Sequence, residues 1–175
     1  MAGSLSVKKI IWFLKTILSF DDGIAILLGA APVPSSEEIF HAIRVPAEDC
    51  GVRVDGGSSI PVAEAIVMAV EPFDDVVSQL GGWSKINETV CSFREENPGM
   101  WDKFVPLVSL IQPGGRIRDG RGGMSAMLSF RFGGVCEKTL RRWKKETMRA
   151  LAIHLLTWAR AEGFSLSYDP HKKSN

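Results

Sequence analysis

The sequence has few cysteines and histidines, and their spacing does not suggest a metal site or a disulfide framework. The 175 residues include three cysteines and three histidines. Cys50, Cys91 and Cys136 lie far apart, without a CxxC pair or a nearby pair of histidines. Structural zinc sites need closely spaced ligand pairs, and disulfide frameworks need a larger set of cysteines. We therefore expect reduced thiols in a cytoplasmic protein that carries no metal and no other cofactor.

The chain also lacks a long uninterrupted apolar run. The most apolar stretch, residues 7–31, is broken by Lys15, by Asp21 and Asp22, and by Gly23. The remaining pieces are about ten residues long, whereas a membrane-spanning helix needs about 20. A signal peptide would need an unbroken apolar centre, and Lys15 lies in that centre. We therefore expect neither a membrane span nor secretion.

Residues 7–20 have apolar side chains at helical spacing and predict an amphipathic helix. The pattern consists of Ile10, Ile11, Leu14, Ile17 and Leu18. The helix could pack on the rest of the fold or lie on a partner protein. A third reading, a membrane-associated protein, would require residues 7–20 to bind vesicles.

Net charge is almost absent, yet the charges are strongly separated along the sequence. The 21 basic and 20 acidic residues give a formal charge of +1. Residues 1–113 contain eight basic and fifteen acidic residues, and residues 114–149 contain ten basic and three acidic ones. A segment of net charge −7 therefore precedes one of +7. Such a cationic segment is expected in a polyanion-binding protein, because neutralising phosphates releases condensed counterions.

No group of residues in the sequence suggests catalysis. The three histidines are isolated in the chain. Paired aspartates occur at 21–22 and 74–75, but adjacent side chains on a helix do not converge on one ligand. The glycine-rich stretch 112–123 is not followed by the GK[ST] of a phosphate loop. These absences predict a binding protein and not an enzyme.

Helical spacing dominates the rest of the chain, which shows neither sustained strand alternation nor an internal repeat. The sequence predicts a mostly α fold, a helical bundle that contains a helix-turn-helix. Serine and glutamate at capping-box spacing begin a helix at Ser35 that we expect to end at Ile43. Further helices are predicted over 61–80 with a break or kink at Pro72, from a cap at Ser84 to Glu96, over 101–111, and from Glu137 to Gly163.

Two stretches rich in glycine or proline, residues 44–59 and 112–123, divide the chain. We expect residues 1–58 to form an N-terminal arm or small subdomain that could bind a partner. Residues 59–165 would form the helical body, with the helix-turn-helix at about 124–149. Residues 166–175 would be a flexible tail.

Residues 124–149, MSAMLSFRFGGVCEKTLRRWKKETMR, predict the helix-turn-helix itself. This motif needs a small residue in its first helix, a glycine in the turn and inward apolar positions on the second helix. Ser129 can be the small residue, Gly133 or Gly134 the turn, and Val135 the apolar residue after it. Leu140 and Trp143 have the spacing of the inward pair. Two consecutive glycines make the turn one residue longer than the commonest form.

The outward positions of the second helix are the predicted DNA-binding site. Residues near its N-terminus can reach base edges in the major groove, whereas later ones suit phosphates. Arg141 is the first candidate for sequence readout, because arginine can bond guanine bidentately. A solvated basic helix face on a generic bundle is the alternative. The predicted base-edge set is Glu137, Lys138, Thr139 and Arg141; the phosphate set is Arg142, Lys144 and Lys145; Arg116, Arg118, Arg121 and Arg131 complete the DNA-binding residues.

Two segments resemble the Q-type late-gene transcription antiterminators of phages and their bacterial relatives of the AlpA kind. The segments are VVSQLGGWSK at 76–85 and FGGVCEKTLRRWKK at 132–145, and the resemblance covers about residues 73–162. It implies a helical protein that binds double-stranded DNA at a promoter, loads onto paused RNA polymerase and alters the RNA exit channel, where nascent RNA could be a further partner. Terminators would then be read through. Some members carry a zinc ribbon, but the paired cysteines are missing here.

A structural DNA-binding role is the other reading of the same features. A phage DNA-packaging protein, such as a small terminase subunit, would also use a helix-turn-helix. It would form a ring through its helical portions and would need no polymerase.

Overall fold

A computed structural model describes residues 3–49, 62–110 and 131–163. Within these ranges the chain forms seven helices and no β-strand, which confirms the mostly α fold class. The predicted loop at 112–123, the start of the helix-turn-helix at 124–130 and the tail at 166–175 lie outside the described residues. The helices are α1 (Val7–Leu18), α2 (Gly23–Leu28), α3 (Ser36–Asp49), α4 (Val62–Gln79), α5 (Trp83–Glu96), α6 (Pro98–Leu110) and α7 (Glu137–Ala161).

The N-terminal helix α1 belongs to the main hydrophobic core. The side chain of Ser6 caps it by accepting a hydrogen bond from the Lys9 amide at 3.3 Å. Its apolar face is fully buried at Phe13, Leu14 and Ile17. The contact of α1 with α7 is the largest between any two helices in the described ranges. Helix α1 therefore packs on the rest of the fold, and the predicted boundary at residue 58 falls in a stretch that the structure does not describe.

The capping box that begins α3 is confirmed. The Glu38 amide donates to Ser35 Oγ at 3.3 Å, and the Ser35 amide donates to Glu38 Oε2 at 2.7 Å. The predicted end of this helix was wrong, because α3 continues beyond Ile43 to Asp49. Proline at position 46 therefore lies within a helix.

Helix α4 is one element that continues through Pro72, which excludes the break but not the kink that the sequence predicted there. Two other helix starts differ from the sequence pattern. Gly82, and not Ser84, is the N-cap of α5. Helix α6 begins at Pro98, before the predicted start at Trp101. Proline suits the first turn of a helix because the N–H that it lacks would have no partner there.

Aromatic side chains from three helices meet at the centre of the core. The ring of Phe13 on α1 lies 5.0 Å from that of Phe73 on α4 and 5.7 Å from that of Trp83 on α5.

The chain turns tightly between α1 and α2. A Cβ atom at Gly23 would lie 2.4 Å from the carbonyl oxygen of Ile17, so only glycine fits that position. Helix α1 in turn lies against α7, whose N-terminal half carries the predicted site.

Candidate nucleic-acid interface

A glycine turn leads into α7. Gly133 and Gly134 have backbone φ angles of 73° and 85°, in the left-handed region that favours glycine. Cys136 follows as the N-cap in an extended conformation. Its thiol lies 3.4 Å from Thr139 Oγ1 and does not cap a backbone amide. The hydrogen bond with the Thr139 side chain lowers the pKa of the exposed Cys136 thiol. Both glycines therefore adopt the left-handed backbone that suits a turn.

A small apolar cluster anchors the beginning of α7. Leu140 is 1% exposed and packs with the fully buried Leu107 of α6. Phe132, Val135 and Trp143 are partly buried against this pair, and the rings of Phe132 and Trp143 meet edge to face at 5.9 Å. Leu140 points inward as predicted, and Trp143 is half-buried. The cluster thereby sets which side of α7 faces water.

Four basic residues form a continuous exposed line along α7, which we name the basic stripe. They are spaced four, three and four residues apart, so they share one face of the helix. All four side chains are exposed. From first to last the line is about 16 Å long, because an α-helix rises 1.5 Å per residue. The basic stripe consists of Lys138, Arg142, Lys145 and Arg149.

Glu146 contacts the basic stripe at Arg142. Glu146 Oε1 lies 3.7 Å from Arg142 Nε, and both side chains are more than half exposed, at 60% and 65%. Exposed pairs of this kind contribute little free energy, about 0 to 1 kcal/mol. The contact therefore leaves Arg142 able to exchange Glu146 for a phosphate.

The four residues predicted to contact base edges differ in their exposure. Lys138 is exposed on the basic stripe, whereas Glu137, Thr139 and Arg141 are half-buried. Arg141 bonds Glu137 through two nitrogens, Nε at 2.8 Å and Nη2 at 2.5 Å, and both bonds reach the same oxygen, Oε1. Arg141 thus lies on the flank of α7 with a carboxylate partner. The three residues lie beside the basic stripe and not on it.

Lys144, predicted to contact phosphates, also lies off the basic stripe. Its side chain is largely removed from water, and this desolvation lowers its pKa to about 8. Lys15 and Arg141 add to the shift, because like charges nearby disfavour the protonated form. Lys15 belongs to α1, so the packing of α1 on α7 brings a lysine from the acidic half of the sequence to the site.

Sequence reasoning missed three basic residues around α7. Arg149 completes the basic stripe, and its spacing from Lys138, Arg142 and Lys145 could have identified it. Lys15 and Lys103 belong to other helices, and no local pattern indicates their positions. Lys103 Nζ lies 4.4 Å from the ring centroid of Trp143, a cation–π contact between α6 and α7.

The remaining predicted DNA-binding residues are only partly described. Arg131 is exposed just before the glycine turn. Arg116, Arg118 and Arg121 lie outside the described residues. Within the described ranges, no three acidic, cysteine or histidine side chains lie together as metal ligands. None of the helices described is both long and apolar enough to cross a bilayer.

Comparisons with protein-family models, with curated proteins and with solved structures found no match to this chain. The function must therefore be argued from the arrangement of its own residues.

Proposed function

We propose that this protein is a sequence-specific double-stranded DNA-binding transcription regulator that uses α7 as its recognition helix. The observation that supports this most directly is the basic stripe on α7, which follows a glycine turn and an apolar anchor. An α-helix fits the major groove of B-DNA, and exposed lysine and arginine side chains along it can meet phosphates and base edges. The helix-turn-helix is part of this proposal.

The roles within α7 follow from exposure. The basic stripe supplies the phosphate contacts and Lys138, nearest the N-terminus, can also approach base edges. Arg141, beside the stripe and bonded to Glu137, is the residue proposed to read a guanine. Lys144 is partly buried beside the basic stripe and has no groove contact in this proposal.

The proposed role in transcription is antitermination. It is supported by the separation of charge along the sequence and by the two Q-like segments at 76–85 and 132–145. In this proposal the protein binds a promoter-proximal DNA site, loads onto RNA polymerase and promotes readthrough of terminators, close to the nascent RNA at the exit channel.

DNA binding is tested first, by measuring duplex affinity against salt concentration. A cognate site is selected from a pool of random duplexes, and its affinity is compared with that of random DNA. The slope of log affinity against log salt concentration falls by about 0.9 for each phosphate contact that is lost. We expect Lys145→Ala and Arg149→Ala each to reduce the slope by about this amount. Arg94→Ala, at an exposed position on α5, is the matched control and should not change it.

Failure to bind any duplex at low salt would overturn the DNA-binding proposal. Equal effects of Lys145→Ala and Arg94→Ala would show that α7 is not the binding helix. Assembly into a ring that binds DNA without polymerase would favour the packaging role instead.

Antitermination is tested with the full chain and reconstituted elongation complexes on a template with an intrinsic terminator. We expect readthrough that requires the cognate site near the promoter. Readthrough on a template without that site would contradict loading from DNA. If the protein bound the site but did not change readthrough by the polymerase, the antitermination role would be wrong and the DNA-binding role would stand.

A further inference from the structure

Two large apolar side chains are exposed next to each other on α4. Val67 is 69% exposed and Met68 is 58% exposed, the highest values for large apolar residues in the described ranges. Isolated apolar residues are ordinary on a protein surface, whereas an apolar patch with a polar rim can mark an interaction site. The surface around Val67 and Met68, which we name the apolar pair, is therefore a candidate for contact with another molecule.

Carboxylates surround the apolar pair. Four acidic residues follow one another on α4 at intervals of seven, three and one residues, which places them on the helix face that carries the pair. Three of them are exposed, and Asp75 is half-buried. Helix α4 contains no lysine or arginine, so this face carries charge of one sign. A molecule that covers it must offer positive charge together with apolar contact. We name this surface the acidic face of α4, and it consists of Glu64, Val67, Met68, Glu71, Asp74 and Asp75.

The basic stripe on α7 of the same chain offers both properties. Ile153 is 44% exposed and follows Arg149 by four residues, so it extends the stripe along the same face of α7. Glu146 offsets part of the positive charge through its contact with Arg142, and four basic side chains remain against this one acidic contact. The stripe and Ile153 together therefore present positive charge next to an apolar side chain.

An antiparallel alignment of the two helices places opposite charges together and apolar groups together. With Arg149 of one copy opposite Glu71 of another, Lys145 comes level with Asp75, because four residues separate the two positions on each helix. In the other direction, Ile153 comes level with the apolar pair. A parallel alignment would instead set Lys145 against the apolar pair and Ile153 against Asp75. The two surfaces are therefore complementary when the helices run in opposite directions.

We propose that the acidic face of α4 in one copy of this protein binds the basic stripe and Ile153 of a second copy, with the two helices antiparallel. The acidic face is about 16 Å long, like the stripe, and a contact between two short helix faces is small. Association is therefore weak and sensitive to salt. The stripe is also the surface proposed to bind DNA, so a second copy and a duplex compete for it. That competition rests on the proposed DNA-binding function, whereas the self-association does not.

The first test is the mass of the full chain in solution, measured by sedimentation velocity over a range of concentrations in low and high salt. The monomer has a mass of 19.2 kDa. We expect the average mass to rise with concentration in low salt and to return to the monomer value in high salt, because salt screens exposed charges. A protein that stays monomeric in low salt at its highest soluble concentration would overturn the proposal.

Charge exchange tests which surfaces meet. Glu71→Lys and Arg149→Glu should each raise the dissociation constant by at least about tenfold, because like charges then face each other across the interface. An equimolar mixture of the two variants should recover association, because the two reversed charges attract each other again. Glu95→Lys makes the same charge change at an exposed position on α5 and should leave association unchanged.

Circular dichroism confirms that each variant is folded. A mixture of Glu71→Lys and Arg149→Glu that stays monomeric would show that these two residues do not face each other. Equal losses of association in Glu95→Lys and Glu71→Lys would show that the acidic face of α4 is not the binding surface.

A short random-sequence duplex, long enough for one copy, separates this proposal from the proposed function. We expect the duplex to dissociate the assembled wild type into single copies bound to DNA. If the wild type self-associates but binds no duplex, the proposed function is wrong and the self-association stands. If it binds duplex but never self-associates, the reverse holds. If it binds duplex and stays assembled, the basic stripe is not the surface that the second copy occupies, and the self-association proposal is wrong.

Discussion

Arg141 donates two hydrogen bonds to one carboxylate oxygen of Glu137, from Nε at 2.8 Å and from Nη2 at 2.5 Å. The two residues are one helical turn apart, so the contact forms within α7 itself. It uses the Nε–Nη2 edge of the guanidinium. The Nη1–Nη2 edge is the one that remains for a guanine, whose O6 and N7 accept two parallel bonds. Glu137 is therefore better understood as holding Arg141 in place than as contacting a base.

The first prediction concerns base readout by this pair. Arg141→Ala should reduce discrimination between cognate and random DNA by roughly 1 to 3 kcal/mol, because a bidentate contact to one base is lost. Lys145→Ala should weaken binding to both DNAs alike, because phosphates carry no sequence information. Fluorescence anisotropy with both duplexes at one salt concentration measures the difference. Equal losses of discrimination in the two variants would show that Arg141 is not the reading residue.

A charge-matched comparison tests the positioning role of Glu137. Glu137→Gln should strengthen binding to random DNA, because a negative charge is removed, and should lower discrimination, because Arg141 is less well held. Glu146→Gln removes the same charge beside the exposed Arg142. It should strengthen binding to both duplexes without changing discrimination. If Glu137→Gln and Glu146→Gln changed affinity and discrimination in the same way, Glu137 would have no role in positioning Arg141.

The second prediction concerns the apolar anchor of α7. Leu140→Ala should lower the free energy of unfolding by about 2 to 5 kcal/mol, because the truncated side chain leaves a cavity against Leu107. Leu140→Met nearly conserves volume and should cost less than about 1.5 kcal/mol. Urea unfolding followed by tryptophan fluorescence measures both. If Leu140→Ala lowered the free energy of unfolding by less than Leu140→Met does, the apolar cluster would not be what holds the beginning of α7.

Sequence patterns identified the parts of this fold that depend on neighbours in the chain. The capping box at Ser35, the apolar spacing of α1 and the start of α7 after Gly133 and Gly134 are local features, and the structure bears them out. Helical spacing predicted a helix over 61–80 but left open whether Pro72 breaks or kinks it, and α4 continues through that residue. Proline weakens a helix through its missing N–H, but Val70 and Phe73 on either side of Pro72 are buried in the core, and this packing offsets the local cost.

The candidate site shows the same division between local and tertiary information. Helical spacing correctly predicted that Leu140 faces inward and that Lys138, Arg142 and Lys145 are exposed. It could not show that α1 would pack along α7, since these helices are far apart in sequence. Lys144, which the sequence assigned to phosphate contacts, is instead partly buried.

The third prediction concerns Asn87, whose substitution should lower the stability of the fold without changing duplex binding. Its Nδ2 atom donates to the carbonyl oxygens of Ile26 at 2.8 Å and Leu27 at 2.9 Å, which joins α5 to the end of α2. Asn87→Ala should lower the free energy of unfolding by about 1 to 3 kcal/mol, because two carbonyl groups lose their donor. Glu88→Ala, at the exposed neighbouring position, is the control for unfolding. Duplex affinity of the folded variant should match the wild type, and a selective loss of affinity would extend the interface to α5.

The last prediction is a pH dependence that arises from Lys144. Its pKa is about 8 in the folded protein and 10.5 for an ordinary lysine, so the unfolded chain holds the proton more tightly. The cost of keeping Lys144 charged is fully present below pH 8, and it is relieved as the pH rises from 8 to 10.5. Lys144→Met removes the charge and should raise the free energy of unfolding at pH 7 by on the order of 1 kcal/mol, allowing for residual contact with water.

Denaturant unfolding at several pH values between 7 and 10.5 measures this effect. The advantage of Lys144→Met over the wild type should shrink steadily across the window, since the wild-type lysine loses its proton there. Lys145→Met makes the same chemical change at the exposed position next in sequence, and it controls for a general effect of replacing lysine by methionine. A difference between Lys144→Met and wild type that stays constant with pH would show that the pKa of Lys144 is not lowered by its removal from water.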